Sequence, residues 1–284
     1  MQANETPKQK CIPKVSIIIP VYQGEGTIKR CLDSIYNQRF KDFEVIIVND
    51  GSTDATQCIL EEYKAKFEQM QLIVQENRGT AAARTVGIKS ARGSYLYIAD
   101  ADDWMHPRLL ELSYSKASEK SLDIVYFNHF DCYDELFYPV YNHQDRVFRV
   151  PSHCLYIQLI KRSFLEKVPL DEIPKITYNE DWLINILMSF HSPNIEKINH
   201  FLYYYDKDSS TLSSFLKNRY SEDLRQAYEF LKAYILKEHL SLEYLKDLKK
   251  WALQESGYWK GQLHRTTPKL REELTIFYEE VLKT

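Results

Sequence analysis

Along the first hundred positions, short unbroken runs of β-branched residues take turns with segments in which apolar residues recur every three or four. Residues 15–19 form such a run. It ends at Pro20, is too short for a helix and shows no alternation, as expected of a strand buried on both faces. Over 26–38, Ile28, Cys31, Leu32 and Ile35 fall at helical spacing, and 44–48 is a second apolar run broken by Asn49-Asp50-Gly51. Thr53 or Asp54 can cap a helix reaching 68, 72–74 predicts a strand and 80–91 a helix. A fourth strand over 95–99 runs directly into Asp100-Ala101-Asp102-Asp103.

Strands separated by helices imply an α/β fold with a mostly parallel central sheet flanked by helices and right-handed crossovers. In such sheets a ligand sits beyond the carboxyl ends of the strands. Tyr22, Asp50 and Asp100 each follow a predicted strand end, so the topology should gather them on one rim.

Further along, 123–133 reads as a strand, and the polar stretch to 150 as a hairpin and loop over the site. Residues 154–168 carry a helical pattern, a loop holds Asn179-Glu180-Asp181, a helix follows to 190, and 195–205 is a strand. Beyond 213 the chain reads as helical throughout, with Leu224, Ala227, Tyr228, Leu231 and Ile235 on one face. This divides the chain into a disordered leader (1–13), an α/β domain (14–214, with halves 14–104 and 105–214) and a helical C-terminal extension (215–284).

The 284-residue length suits one large domain with an annex. With 37 basic against 40 acidic side chains, no global field would hold nucleic acid, so any anion must be met locally. Cys11, Cys31, Cys58, Cys132 and Cys154 are odd in number and lack a C-x-x-C pair, which suggests reduced thiols in a cytoplasmic protein. No window offers the ~18 apolar residues of a membrane span, so the expectation is a soluble or peripheral protein. Over 232–271, nine Lys or Arg face four Asp or Glu with Trp251 and Trp259 among them. That composition suits weak contact with a membrane surface and equally a solvated helical face.

Asp100, Asp102 and Asp103 put three carboxylates within four residues, where mutual repulsion is costly unless a cation or basic group relieves it. Hard divalent cations prefer such oxygen ligands, although acids starting a helix before Pro107 would look the same. Asp50-Gly51-Ser52-Thr53 is either turn punctuation or a nucleotide contact. Arg84 could reach a diphosphate oxygen or pair with a rim carboxylate. Glu180-Asp181 opens a helix, where acids favour the dipole and a catalytic base would look alike. Gly24 and Gly26 invite a dinucleotide-fold reading, but Lys29 stands where its third glycine belongs.

The order Pro20-Val21-Tyr22, Asn49-Asp50-Gly51-Ser52-Thr53-Asp54, Asn77-Arg78-Gly79 through Ala83-Arg84, Asp100-Ala101-Asp102-Asp103 and Glu180-Asp181-Trp182 resembles family 2 glycosyltransferases of the GT-A fold, over roughly 14–215. The resemblance implies an inverting, metal-dependent hexosyl- or N-acetylhexosaminyltransferase that uses a UDP-sugar and a glycan acceptor in bacterial cell-surface polysaccharide synthesis, cytoplasmic or peripheral at the inner membrane face. By the same likeness Pro20, Tyr22, Glu25, Asp50, Arg84, Asp100 and Ala101 border the nucleotide, and Asp102 binds Mn2+ or Mg2+. Asp181 is the base, with Trp104, Glu180 and Trp182 toward the sugar or acceptor. Gln23, Asn49, Thr85 and Ala99 depart from the usual residues without removing a carboxylate the chemistry needs. A sugar-1-phosphate nucleotidyltransferase is the rival enzyme class, but its Gly- and Arg-rich loop after the first strand is missing. A non-catalytic sugar-binding module would have little reason to keep both Asp102 and Asp181.

Overall fold

Strand β1 (Val15–Val21) is buried along its whole length, which is why its sequence shows no alternation. It pairs in parallel with β2 (Phe43–Asn49) on one side and β4 (Tyr95–Ile98) on the other, and β2 pairs in parallel with β3 (Met70–Val74). The crossovers are α1 (Ile28–Tyr36), α2 (Thr56–Lys64) and α3 (Thr80–Ser90). Both faces are covered: Ile17, Ile19, Val45 and Ile47 pack with residues of α1 and α2, and Ile18, Ile46 and Val48 pack with Ala83 and Ile88 of α3. Gly87 lets α3 lie close to β1, since a Cβ there would stand 2.4 Å from Ile18 Cγ2. This computed structural model describes residues 12–133, 136–143, 154–176, 180–207, 220–261 and 268–283. The expected leader, except for its last two residues, the chain beyond 143 in the loop expected to reach 150, Asn179 and the 214/215 boundary lie outside them.

Beyond β4 the sheet becomes mixed. β8 (Gln158–Lys161) lies antiparallel between β4 and β6 (Ile124–Tyr133). β6 runs parallel to β9 (Ile195–Asp206), and β9 is antiparallel to the two-residue β5 (Trp104–Met105). The order is β3-β2-β1-β4-β8-β6-β9-β5, with β7 (Leu136–Val140) making the expected hairpin against β6. Helix α4 (Leu109–Glu119), which no sequence expectation covered, packs on the α1 and α2 face.

The helical expectation over 154–168 is corrected. Only Arg162–Leu165 (α5) is helical, and Gln158–Lys161 is a strand. Residues 155–160 are all buried, and a short apolar run buried on every side has the same periodicity in either state. Between α5 and α6 (Glu180–Ser189), Leu170–Glu172 forms a 3₁₀ turn, and the tail forms α7 (Tyr220–Lys237), α8 (Glu243–Gly261) and α9 (Pro268–Lys283). These three helices join the apolar core that contains α3 and α6.

Candidate active site

The rim forms as the topology requires. Tyr22 follows the end of β1, Asp50 the end of β2, and Asp100 stands two residues past β4; Asp50 N donates to Val21 O at 2.9 Å, and Ala99 N to Ile18 O at 3.0 Å. Because Ile18 faces β4, Pro20 faces it too, just where β4 has ended. Its missing N–H therefore costs no ladder bond.

Around β2's end the polar groups are largely spent on each other. Both Asp50 oxygens accept bonds, one from Gln75 Nε2 at 2.6 Å and Arg78 N at 2.9 Å, the other from Gly79 N at 2.8 Å. Asp50 thus anchors the loop that leads into α3. Gly51 at φ +76° completes the turn, since a Cβ there would lie 2.9 Å from Asn77 N. Glu25 accepts from Ala55 N at 2.9 Å while its own N donates to Asp54 at 3.1 Å, tying the β1–α1 turn to the start of α2. Gln23 makes a similar tie to Thr53 N at 2.8 Å. Tyr22 is 53% exposed at the mouth of this turn.

Arg84 organises the other side. It is 3% exposed on α3, and its guanidinium reaches three carboxylates. Nη1 donates to Glu180 at 2.9 Å and to Asp181, and Nη2 faces Asp100 at 3.4 Å. Burial opposes the charge on Arg84, but Asp181, Glu180 and Asp100 more than offset it, so its pKa is raised. Burial likewise pushes the Asp100 carboxyl up to about 7, with Arg84 opposing and Asp181 adding. Glu180 is also raised to about 7, by burial first and then by Asp181, against the pull of Arg84. The remaining Asp181 oxygen accepts from Leu155 N at 3.3 Å.

Within the acidic cluster the roles separate. Asp103 is fully buried and accepts from Tyr203 Oη and Asp206 N, both at 2.8 Å, so it fastens the end of β9 beneath the site. Ala101 and Asp102 are partly exposed. The Asp102 carbonyl accepts from Arg30 Nη2 at 2.6 Å, and the same guanidinium pairs with Asp206 and lies 4.1 Å over the Trp104 ring. Trp104 also stacks on Tyr204, centroids 5.4 Å apart. Arg30 was invisible to sequence reasoning, because only the fold brings α1 to the end of β4.

Of the residues expected toward the sugar or acceptor, one faces the core and another stands in the wall of the site. Trp182 is 4% exposed and stacked on Trp251, so it faces the core. Glu180 is bound to Arg84, in the wall of the site. Trp251, expected on a membrane-facing surface, is buried by the same stack, and the Trp259 side chain lies outside the described residues.

Among the described residues no group of three or more His, Cys, Asp or Glu is arranged to hold a metal ion. Mg2+ and Mn2+ do not need such a cage, since one or two carboxylates together with substrate phosphates commonly suffice. Asp102 is partly exposed on the rim, and its carboxylate is the oxygen donor such an ion takes, so the residue types present fit a cation of this kind. Of the cavities that the described residues form away from this rim, one of about 470 Å³ is lined by Lys246, Lys249, Lys250 and Tyr278 on the tail, and another is lined by Glu44, Gln69, Met70 and Arg92 beside the starts of β2 and β3.

Residues 16–175 match the family described as Glycosyl transferase family 2. The chain is similar to glycosyltransferase GlyA of Streptococcus pneumoniae serotype 4, 34% identical over 155 residues that cover 55% of this chain and 20% of that protein. It is also similar to the uncharacterized glycosyltransferase EpsJ of Bacillus subtilis, 28% identical over 235 residues covering 77% and 68% of the two. Among solved structures, S. aureus TarS 1-349 in complex with UDP superposes with a TM-score of 0.60 at 20% identity over 95% of this chain and 90% of that one. The mannosyltransferase PcManGT of Pyrobaculum calidifontis, in complex with GDP-Man and Mn2+, gives 0.62 at 16% identity over 96% and 76%. At these identities the structures speak to the fold alone, the expected GT-A architecture, and the expected C-terminal helices are present in this chain.

Proposed function

The chain belongs to glycosyl transferase family 2, and from that premise we propose that it moves a hexosyl or N-acetylhexosaminyl unit from a UDP-sugar to a glycan hydroxyl, with inversion, in bacterial cell-surface polysaccharide synthesis. One observation carries this reading. A buried arginine from the nucleotide half pairs with both the strand-end Asp100 and the helix-start Asp181. This supports a reading in which the nucleotide side of the rim and a base meet at one point.

In this mechanism Asp181 accepts the proton of the acceptor hydroxyl. The freed oxygen attacks the anomeric carbon as the bond to the diphosphate oxygen breaks, and the configuration inverts once. Arg84 fixes one Asp181 oxygen, so the other, now near Leu155 N, is the one turned to the acceptor. Asp50 holds the loop against which the nucleotide lies, and Tyr22 flanks it. Asp102 would hold a Mn2+ or Mg2+ ion, which when bound supplies Lewis-acid stabilisation to the departing phosphate. UDP on TarS and Mn2+ on PcManGT support the choice of donor and cation. The names of relatives such as the poly(ribitol-phosphate) beta-glucosyltransferase of Bacillus spizizenii support the polysaccharide setting. No helix among the described residues is long and apolar enough to cross a membrane, and we place the enzyme in the cytoplasm, peripheral at the inner face of the membrane. The test is UDP release from a panel of UDP-sugars with Mn2+. Hydrolysis of one or more supports the reading, and inertness toward all of them, with GDP-sugars turned over instead, overturns the donor class.

A further inference from the structure

Helix α6 begins with Glu180 and Asp181, and every residue from Trp182 to Ser189 is buried. A helix apolar on all sides must be covered on all sides. One side is the α3 and sheet core, and the rest of the cover shares its apolar cluster with the three C-terminal helices. The contact is specific at both ends. Trp182, the residue after Asp181, lies on Trp251 of α8 with ring centroids 3.6 Å apart at 18°. Phe190, just past the last turn, stacks on Tyr234 of α7 at 6.0 Å and meets Tyr244 of α8 edge-on at 4.7 Å. Among the described residues the buried Trp251 Nε1 has no hydrogen-bond partner. An aliphatic side chain would avoid that cost, so the flat ring and not its N–H accounts for a tryptophan here.

We infer that the C-terminal helices position the candidate base: Trp251 clamps Trp182, and with the grip on Phe190 this fixes the rotation of α6 that presents Asp181 to Arg84 and the acceptor. The inference rests on the proposed transferase reading for its catalytic consequence but not for its structural content. Turning a helix by about 20° moves a group ~5–6 Å from its axis by ~2 Å. A misplacement of ~1 Å at a reacting group can cost about 10²-fold in rate. Trp251 is thus a positioning residue, acting through Trp182.

The test compares the full chain with Trp251→Ala, Trp251→Phe and Leu274→Ala. Leu274 is fully buried on α9, which packs on α7 and α8, and serves as the control for general weakening of the tail. Hydrogen exchange of the 182–189 amides, read without any substrate, should quicken ~10-fold or more in Trp251→Ala beyond its rate in Leu274→Ala, and Trp251→Phe should restore it. Hydrolysis of the preferred UDP-sugar should lose ~10–100-fold in kcat with donor KM changed less than ~3-fold. If Trp251→Ala does not fold, Trp251→Leu carries the same comparison. Equal exchange in the Trp251 and Leu274 variants, or a change confined to KM, overturns the positioning role. Should the wild type hydrolyse no nucleotide sugar, the exchange arm still decides the inference.

Discussion

Replacing Arg84 by Met removes the cation that three carboxylates share while leaving a side chain of similar length. Asp100 and Glu180 already stand near 7 with Arg84 in place, and for both the arginine works in the lowering direction. Without it, each further tenfold weakening of ionisation costs about 1.4 kcal/mol, so two carboxyls so affected come to about 3 kcal/mol at alkaline pH. Asp181 also loses its ion pair, and breaking a buried pair by removing one partner costs about 3–5 kcal/mol. The sign in pH follows from the direction of the shifts. A carboxyl raised in the folded state contributes stability that is fully present below its unfolded pKa, 3.8 for Asp100 and 4.5 for Glu180, and that is lost as pH rises through the folded value. Urea unfolding of Arg84→Met should therefore show a loss about 3 kcal/mol larger at pH 8 than at pH 5. A loss below about 1 kcal/mol at pH 8, or one that is flat with pH, would mean that the three acids are not gathered on this arginine.

Other consequences can be measured separately. Asp102→Ala should abolish the Mn2+-dependent part of UDP affinity in calorimetry while the thermal midpoint stays within a few degrees; equal affinity with and without cation in both proteins would remove Asp102 from the metal role. Gly51→Ala forces a side chain into φ +76° with its Cβ 2.9 Å from Asn77 N, and should cost about 1–3 kcal/mol by denaturant midpoint, together with weaker UDP binding as the Asp50 loop shifts. A loss within experimental error would show that the turn is not held as described. The intact chain should co-sediment with anionic but not neutral liposomes at low salt, an affinity screened away as salt rises. Recovery in the supernatant under all conditions would count against membrane contact by the tail.

The first hundred residues were legible because three of their four parallel strands, β1, β2 and β4, are short, almost wholly buried on both faces and punctuated at their ends by Asn49-Asp50-Gly51 and by Asp100. The rim was legible for the same reason, since strand ends bring Tyr22, Asp50 and Asp100 together whatever the loops do. Where the sheet turns mixed, patterning failed: β8 read as helix because a buried run carries no period, and β5 is two residues long. Trp182 was expected beside a sugar, yet the helix starting at Glu180 turns it inward to Trp251. Nothing in the sequence marks that pairing, which joins positions 69 residues apart, just as nothing marks Arg30 as the link between Asp102, Asp206 and Trp104. Asp103 resembled its neighbours in composition, and only its bonds to Tyr203 and Asp206 show it to be an anchor for β9.

The proposed transfer reaction rests most directly on Asp181. UDP binding and turnover of the preferred donor with its acceptor should be measured for Asp181→Asn, which keeps the shape of the side chain and removes its basicity. General-base catalysis is worth ~10²–10⁴-fold, so turnover should fall by about that factor while UDP binds with near-normal affinity. Turnover within a few-fold of wild type would contradict the account, and the base would have to be sought elsewhere on the rim.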